Sequence, residues 1–390
     1  MERQGPRDLL RHFDELEDPR MDRTRLHRLD DMIAIAILAV ICGAEGWVDV
    51  EQFGKAKHDW LKTFLHLPNG IPSHDTFGRV FAAIDPDAFE RCFYRWVQGL
   101  IEASGAGALH IDGKTLRRSF DGAANKAALH MVSVWASNAE LALAQCATDQ
   151  KSNEITAIPH LLDLITLHGA VVTIDAMGCQ REIASKIVDE GGDYILAVKA
   201  NQPELHEDLK LLFDEAKKNN FQHMGYDFYE TTEKGHGRIE TRRVWVTREI
   251  DWLRQRGEWA NLRGAVCVES QRQVLDAAGG PSQSSTETRY YISSVDHRDR
   301  GHHADFFART IRSHWGVENK LHWSLDVSFN EDQSRVRQGH GDENLARLRR
   351  MSLNLLKQEP TRLGIAAKRR KAGWDHNYLL KVLTAGSAAN

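Results

Sequence analysis

The sequence predicts an α/β protein in which a mixed β-sheet with flanking helices follows an all-helical N-terminal domain. Three observations lead to this prediction. Apolar residues recur at helical spacing as far as about Ala103. Between Ala108 and Lys199, short apolar runs of strand length alternate with helical patterns. From Tyr226 to Val295 the pattern is again that of β-strands, which predicts a β-rich segment before the final helices.

The composition is that of an ordinary globular protein. With 390 residues the chain is long enough for two or three domains, and it contains 42% hydrophobic and 27% charged residues. Five scattered cysteines without a CysXxxXxxCys pair exclude a disulfide framework and indicate a reducing compartment. No secretory signal is visible, and the longest apolar run, Met32 to Ala44, is too short to span a bilayer. We therefore expect a cytoplasmic protein with no membrane partner.

The N-terminal domain, residues 1–103, is predicted to consist of short helices. Asp30 and Asp31 are placed to cap a helix over Met32–Cys42, which Gly43 interrupts. Asp85 followed by Pro86 predicts the start of another helix. Short helices with tight turns are typical of DNA-reading bundles and of many other small domains, so binding of DNA ends by this domain is a hypothesis.

The middle of the chain is predicted to have the order β-β-β-α-β-α-β-α. The later part is predicted to hold four strands, a loop over Ala277–Thr286, a long helix from about Asp305, a helix over Glu343–Gln358 and a short helix near Tyr378–Leu383. The strands of the middle part are expected at residues 108–114, 129–136, 141–147, 170–175 and 193–199, and the helices at about 153–167, 180–190 and 203–218.

Two aspartates follow apolar strands of the predicted sheet. Asp112 ends the first strand and Asp175 ends the fourth. An aspartate at the carboxyl end of a parallel strand points to the edge where ligands collect, although a cap of a turn is the structural alternative. On adjacent parallel strands the two carboxylates would lie side by side.

A third acid lies in the helix predicted from Asp305 onward. Helical spacing places Glu318 on one stripe with the apolar residues Phe307, Ile311, Trp315 and Leu325 and with His322. A carboxylate on a core-facing stripe needs a compensating cation, either a metal ion or a partner such as Arg312 or Lys320. Asp326, Glu331 and Asp332 are rival third acids.

Three clustered carboxylates would bind hard divalent cations. Carboxylates repel one another unless a cation neutralises them, and oxygen ligands favour Mg²⁺ or Mn²⁺. Two such ions suit phosphodiester chemistry.

Three segments resemble one family. HisIleAspGlyLysThrLeuArgArgSer (110–119), ThrIleAspAlaMetGlyCysGlnArgGluIleAla (173–184) and ArgSerHisTrpGlyValGluAsnLysLeuHisTrpSerLeuAsp (312–326), followed by PheAsnGluAspGlnSerArg (329–335), are similar to motifs of DDE transposases. The similarity is to bacterial insertion sequences, in the group that includes the H-repeat-associated proteins found beside Rhs elements. It extends over nearly the whole chain.

The resemblance implies both a fold and a function. It implies a ribonuclease-H-like catalytic core, which we place over residues 104–225 and 299–358, and a β-rich insertion over 226–298; the Lys/Arg residues that follow predict a basic tail over 359–390. The implied function is a transposase that cleaves transposon ends and transfers strands by in-line phosphoryl transfer, with Asp112, Asp175 and Glu318 holding two Mg²⁺ or Mn²⁺ ions. The implied partners are double-stranded DNA, as inverted-repeat ends and target, and a second copy in a homodimer or larger assembly on DNA. The implied location is the bacterial nucleoid.

The chain departs from the broader superfamily around Glu318. That superfamily has Tyr, Arg, Glu and Lys at set spacings, and the matching positions here are Ile311, His314, Glu318 and Leu325. The DNA-holding roles of the missing Arg and Lys would pass to Arg312, Lys320 or His322.

Further residues are candidates for contact with DNA phosphates. They follow the first strand, follow the fifth strand or flank Glu318, and each is alternatively a solvated surface residue. His314 and His322 could instead assist proton transfer. Trp315 and Trp245 are predicted to be buried, with stacking on a base as the alternative. The candidate DNA-binding residues are Lys114, Arg117, Arg118, Lys199, Asn201, Gln202, Arg312, His314, Lys320 and His322.

The segment from Arg335 to Lys371 is a candidate for contact with the DNA backbone, with a solvated helix surface as the alternative. It holds eleven Lys/Arg residues against three Asp/Glu residues, a local net charge of +8, whereas the whole chain has a net charge of −4.

The sequence leaves two alternative functions open. One is a structure-specific nuclease on the same core that hydrolyses DNA but never joins ends. The other is a DNA-binding relic without catalytic turnover.

Overall fold

In a computed structural model the chain has an α/β fold with a large mixed sheet, helices and a helical N-terminal region. This confirms the predicted fold class. The structure describes residues 5–104, 107–120, 127–148, 154–235, 237–276, 281–296 and 303–385. The chain divides into two compact units: the first consists of Met1–Ala106, Gly113–Ile165 and Val317–Asn390, and the second of Gly107–Asp112 and Thr166–Gly316.

The first unit begins with the predicted helices. Helix α2 starts at Leu29, so Asp30 and Asp31 lie in its first turn and do not cap it as predicted. Asp31 is buried and its carboxylate accepts hydrogen bonds from the backbone N–H groups of His66 and Leu67, 3.1 and 2.9 Å away. Gly43 ends α2 in a left-handed conformation with φ of 118°. The helices are α1 (Gly5–Arg11), α2 (Leu29–Cys42), α3 (Trp47–Ala56), α4 (His58–Leu61), α5 (His74–Ala83) and α6 (Pro86–Ser104).

Helix α12 (Gly341–Gln358) is the buried centre of the first unit and contacts α2, α5, α6 and strand β3. Two of its buried amides bond backbone groups of neighbouring elements. Asn344 donates to the carbonyls of Phe81 and Ile84, and Asn354 bonds both the N–H and the C=O of Ala142. The remaining elements of this unit are β2 (His130–Ala136), β3 (Leu141–Thr148), α7 (Glu154–Asp163), α11 (Trp323–Phe329), α13 (Ile365–Trp374) and α14 (His376–Thr384).

The second unit is a sheet with the strand order β1-β4-β5-β9-β8-β7-β6. Strand β1 pairs with β4, and β4 with β5, in parallel, whereas β9 joins β5 antiparallel and the remaining pairs are antiparallel hairpins. The parallel strands are continuous apolar runs because they are buried. The elements are β1 (Ala108–Thr115, which continues into the first unit), β4 (Val171–Ile174), α8 (Arg181–Asp189), β5 (Asp193–Val198), α9 (Pro203–Lys218), β6 (Tyr226–Gly235), β7 (Arg238–Thr247), β8 (Gly264–Leu275), β9 (Pro281–Ser293) and α10 (Ala304–His314).

The β-rich segment extends the same sheet, because β9 pairs with β5. The loop predicted over Ala277–Thr286 is partly wrong, since β9 already begins at Pro281 and residues 277–280 lie outside the described residues. Helix α10 covers this sheet, where Phe307 and Ile311 pack in a cluster with Val246 and Val266. The predicted domain boundaries at residues 103, 225, 298 and 358 remain predictions.

No single helix in the described part of the chain is long and apolar enough to cross a membrane. Only α2 and α3 taken together pass a test of length and hydropathy, and they are bent by 96° where they meet.

Breaking the buried pair between α6 and α12 is expected to destabilise the first unit strongly. Arg347 Nε lies 2.6 Å from Glu90 Oε2, and both side chains are 1% exposed. Glu90→Gln would leave the buried Arg347 charge with the longer ion pair to Glu343, 3.6 Å from Nη1 to Oε2, at a cost of up to about 3–5 kcal/mol. Urea unfolding measures this loss. The control is Glu15→Gln, which breaks the exposed pair with Arg95 and should change stability by less than about 1 kcal/mol.

Candidate functional site

The two predicted aspartates follow neighbouring parallel strands in register. Ile111 of β1 pairs with Ile174 of β4, so Asp112 and Asp175 are the next residues on strands that lie about 4.8 Å apart. Asp175 also caps the short helical turn Ala176–Gly178: its Oδ1 accepts from the N–H groups of Met177 and Gly178, 3.0 and 3.5 Å away. Asp175 is exposed and Asp112 is half-buried. The structure therefore places the two aspartates at neighbouring positions on adjacent strands, and Oδ2 of Asp175 is not used in the cap.

A chain of hydrogen bonds lies on the same sheet face as these aspartates. His110 and Thr173 are register partners two residues before them, and alternate residues of a strand share a face. His110 Nδ1 is 2.6 Å from Thr173 Oγ1, which is 2.8 Å from His314 Nδ1 of α10. His110 Nε2 is 2.9 Å from Ser313 Oγ.

The Ser313 hydroxyl, at one end of this series of hydrogen bonds, determines which nitrogen of each histidine carries the proton. The Ser313 hydroxyl donates to the carbonyl of Thr310 at 2.8 Å, so it accepts from the N–H at Nε2 of His110. Thr173 then donates to His110 Nδ1 and accepts from the N–H at Nδ1 of His314. Nε2 of His314 is therefore left as an acceptor. Burial lowers the pKa of His110 to about 3 and that of His314 to about 4, with Asp175 opposing the shift of His314, so both rings are neutral at pH 7.

Glu318 lies in a π-helix, which the sequence did not predict. Helix α10 ends at His314, the π-helix covers Val317–His322, and α11 follows. A π-turn holds more residues than an α-turn and rotates later side chains around the axis. The prediction of a single core-facing stripe is therefore wrong. Glu318 is exposed and Trp315 is 43% exposed. The buried residues of this stretch are Val317, Leu321 and His322. Trp245, in contrast, is buried as predicted.

Glu318 belongs to the first unit, and the two aspartates belong to the second. Within the described residues, no three His, Cys, Asp or Glu side chains form a group that could hold a metal ion. Binding of metal by the three acids therefore stays a prediction.

The rival acids form an ion-pair network in the first unit. Lys114 Nζ contacts Asp326 Oδ1, lies 3.0 Å from Glu331 Oε2 and lies 3.9 Å from Asp332 Oδ1. Glu331 is fully buried; burial raises its pKa, but Arg350 and Lys114 outweigh this and lower it to about 2. Burial raises the pKa of Asp326. Lys114 is 10% exposed and bonded to these interior carboxylates, and its predicted contact with DNA stays a prediction.

Comparison with known proteins decides the family. A family model described as "Transposase DDE domain" matches residues 83–355, and a model described as "DDE_Tnp_1-associated" matches residues 10–97. The chain belongs to the DDE transposase family. This confirms the family that the sequence motifs indicated.

Relatives match over most of the transposase chain. The H repeat-associated protein YhhI of Escherichia coli (strain K12) is 41% identical over 381 residues, 97% of this chain and 98% of YhhI. YncI of Escherichia coli O157:H7 is 40% identical over 381 residues, 97% of this chain and 95% of YncI. Both are named as candidate transposases. YbfQ of Escherichia coli (strain K12), named an inactive transposase, is 44% identical over 72 residues, 18% of this chain and 86% of YbfQ.

One solved structure is a distant match. It is a piggyBac transposase synaptic complex with hairpin DNA, with a TM-score of 0.41 and 11% identity, covering 98% of this chain and 80% of that chain. A likeness at this level carries no structural argument.

Several residues that were predicted to contact DNA have contacts with protein groups in this structure. Asn201 donates to the carbonyl of Ala176, and Gln202 donates to that of Cys179 at 2.9 Å, so both brace the turn that follows Asp175. Their predicted role on DNA is untested. The other candidates outside the Lys114 network are placed as follows: Arg118 and Lys199 are exposed, Arg117 is 3.4 Å from Asp332, Arg312 is 2.9 Å from Glu233, Lys320 pairs with Glu140, His314 is half-buried and His322 is buried.

Much of the charge in the segment from Arg335 to Lys371 is structural. Five of its eleven cations are buried: Arg347, Arg349, Arg350, Lys368 and Arg369. Lys368 donates to the carbonyls of Leu356 and Glu359, so the predicted basic tail is a packed part of the first unit. Contact of the segment's other cations with the DNA backbone stays a prediction.

A positively lined cavity of about 390 Å³ lies under α10 in the second unit. The guanidinium of Arg289 lies 5.0 Å from the ring centroid of the exposed Trp315. The other basic residues that line the cavity are Arg242, Arg309 and Arg312.

Gly113, directly after Asp112, packs on a buried pair that sequence reasoning missed. His130 Nε2 is 2.6 Å from Glu154 Oε1, and His130 Nδ1 is 2.8 Å from Thr115 Oγ1. The repeated pattern His-Ile-Asp and Thr-Ile-Asp at 110–112 and 173–175 was the available signal for His110 and Thr173. We found no comparable signal for His130 and Glu154.

Gly113→Ala is expected to destabilise the transposase. A Cβ at this position would lie 2.5 Å from both Glu154 Oε1 and His130 Nε2, so the buried pair would have to move. Crowding of this kind costs about 1–3 kcal/mol. Urea unfolding measures the loss of stability. The control variant is Gly99→Ala, since a Cβ at Gly99 meets no atom within 4 Å. Equal effects of the two variants would contradict the packing argument.

The neutral histidines predict acid sensitivity. The folded-state pKa of His314 is about 4, below the ordinary value of 6.5, so the unfolded state binds more protons between these values. Stability should therefore fall as the pH falls from 6.5 to 4. His314→Gln should reduce this slope by up to about 1.4 kcal/mol per pH unit. Urea unfolding at several pH values measures it, with the exposed His223→Gln as the matched control. An unchanged slope in His314→Gln would contradict the assignment.

Proposed function

We propose that this protein is a DNA transposase that cleaves the ends of its element and joins them to target DNA by in-line phosphoryl transfer. The proposed core is ribonuclease-H-like, and Asp112, Asp175 and Glu318 are its three acids. The observation that carries the proposal is the parallel register of β1 and β4, which aligns the two aspartates in a chain of the DDE transposase family.

The donor set fits a hard divalent cation. Two adjacent carboxylates repel each other unless a cation neutralises them, and oxygen ligands suit Mg²⁺ or Mn²⁺. When bound, such ions polarise the phosphodiester and activate the attacking water or 3′-hydroxyl. We assign Asp112 and Asp175 as ligands and Glu318 as the third.

The surrounding residues hold this arrangement in place. The backbone N–H groups of Met177 and Gly178 orient the Asp175 carboxylate through one oxygen. Asn201 and Gln202 fix the turn behind it. His314 is neutral and presents Nε2 as an acceptor, so it can orient a donor group such as a water or hydroxyl near Asp175.

Contact with double-stranded DNA is assigned to exposed cations. Arg118 and Lys199 are exposed, and Arg312 lines the basic cavity under α10. Phosphate contacts of this kind position DNA without reading its sequence. Synapsis of two ends implies a homodimer or larger assembly on DNA.

Glu318→Gln is expected to abolish cleavage while preserving the fold. The substitution removes one negative charge and one ligand but keeps the shape of an exposed side chain, so turnover should fall by orders of magnitude with little change in melting temperature. The assay is Mg²⁺-dependent cleavage and joining of duplexes that carry the inverted repeats flanking the gene.

The matched comparison is Asp326→Asn, which tests the main rival acid. It breaks a contact with Lys114 and should lower stability more than Glu318→Gln does. Near-normal cleavage by Glu318→Gln would overturn its assignment. Cleavage by wild type without joined products would instead indicate a nuclease, and binding without either would indicate a relic.

A further inference from the structure

A second polar cavity lies in the first unit, and none of the residues assigned under the proposed function lines it. It has a volume of about 310 Å³ and is bounded by the start of α3 and by residues 330–336. Arg349 of α12 lines it and is 1% exposed. The guanidinium makes one hydrogen bond, from Nη2 to the carbonyl of Glu45 at 3.2 Å, while its Nε is buried without a partner among the described residues.

The charges around Arg349 do not balance. Arg350 and Arg369 are also buried, and Nε and Nη2 of Arg350 and Nε of Arg369 have no partner in the described part of the chain. The buried carboxylate near them is Glu331, which bonds Arg350 Nη1 at 3.0 Å and also Lys114. Burial lowers the pKa of Arg349; Glu331 and Glu45 oppose this shift, and Arg350 adds to it. Buried charges and buried N–H groups without acceptors are costly, so an anion here would stabilise the cluster.

The N-terminus of α3 opens on the same cavity. Gly46, its N-cap residue, lines the cavity and has no side chain to accept from the first-turn N–H groups. The carboxylate of Asp49, in that first turn, accepts instead from the N–H of Glu45 at 2.9 Å. Helix N-termini attract anions through these N–H groups and the helix dipole.

Two more lining residues supply donors, and one supplies a negative charge. The Ser334 hydroxyl oxygen is buried without a partner among the described residues, and Arg335 is exposed at the cavity. The Glu45 carboxylate also lines the cavity, but it accepts from Asn330 Nδ2 at 3.0 Å. The donors therefore outnumber the one acid.

We propose that this cavity is a phosphate-binding site, with Arg349, Arg335, Ser334 and the N-terminus of α3 as its donors. Buried guanidinium groups and helix N–H groups together match the several oxygens of a phosphate. The phosphate comes either from the DNA backbone or from free phosphate. The inference goes beyond the proposed function and does not require turnover, so an inactive enzyme would still bind phosphate here.

Gly46→Asp is the decisive variant. A Cβ at Gly46 meets no atom within 4 Å, and its φ of −159° suits any residue. The new carboxylate would cap α3 itself and occupy the place of the anion, so the fold is kept and the site is lost. Arg335→Gln removes an exposed donor, and Arg362→Gln is the control, an equal charge change at another exposed position.

The first measurement is melting temperature in inorganic phosphate against chloride at equal ionic strength. Phosphate should raise the melting temperature of wild type and Arg362→Gln by mass action. The rise should be absent in Gly46→Asp and reduced in Arg335→Gln. An equal rise in all four proteins, or none in wild type, would overturn the inference for free phosphate.

The second measurement is the salt dependence of binding to a DNA duplex. If the site holds a backbone phosphate, Gly46→Asp should reduce the slope of log K against log salt by about 0.9. An unchanged slope, with phosphate stabilisation lost, identifies free phosphate as the ligand. An unchanged slope together with unchanged stabilisation rejects the site.

Discussion

The first unit depends on neutralising charges buried along helix α12. Arg347 pairs with Glu90 of α6, and Arg350 pairs with Glu331. Charges at these depths are tolerated only with partners in place, so α6 and the segment around Glu331 must meet α12 in one arrangement. Asn344 and Asn354 likewise fix how α5 and β3 pack on α12, because each amide bonds backbone groups that would otherwise be buried unpaired. Apolar packing supplies the driving force, and these polar bonds specify its geometry.

The second unit applies a different constraint, the register of parallel strands. Pairing of Ile111 with Ile174 fixes the positions of Asp112 and Asp175, and a slip by one residue would turn the aspartates away from their common face. The bonds from His110 through Thr173 to His314 tie α10 to the same two strands. Backbone pairing thus positions the two aspartates, and side-chain hydrogen bonds hold α10 against the strands that carry them.

The sequence predicted local features well and features that depend on distant partners poorly. The five strands of the middle part and the adjacent aspartates followed from apolar runs and from the edge at which parallel strands end. The exposure of Glu318 did not, because the apolar spacing fits an unbroken α-helix and nothing local marks the π-turn. The burial of Arg347 and Lys368 was missed because it depends on Glu90 and on the carbonyl of Glu359, which only the fold brings near.

Stability and the proposed chemistry rest on different residues. The acids that hold the first unit together, Glu90 and Glu331, are fully buried and paired with cations, whereas Asp175 and Glu318 are exposed. Asp175 follows β4 at the position next to Asp112 on β1, and like charges on neighbouring residues repel each other unless a cation neutralises them. The π-helix around Glu318 points the same way, since such turns are less favourable than α-helix and are retained mostly at functional sites. The buried acids of the first unit are thus explained by their ion pairs, whereas the exposed acids Asp175 and Glu318 are among those we assign to catalysis.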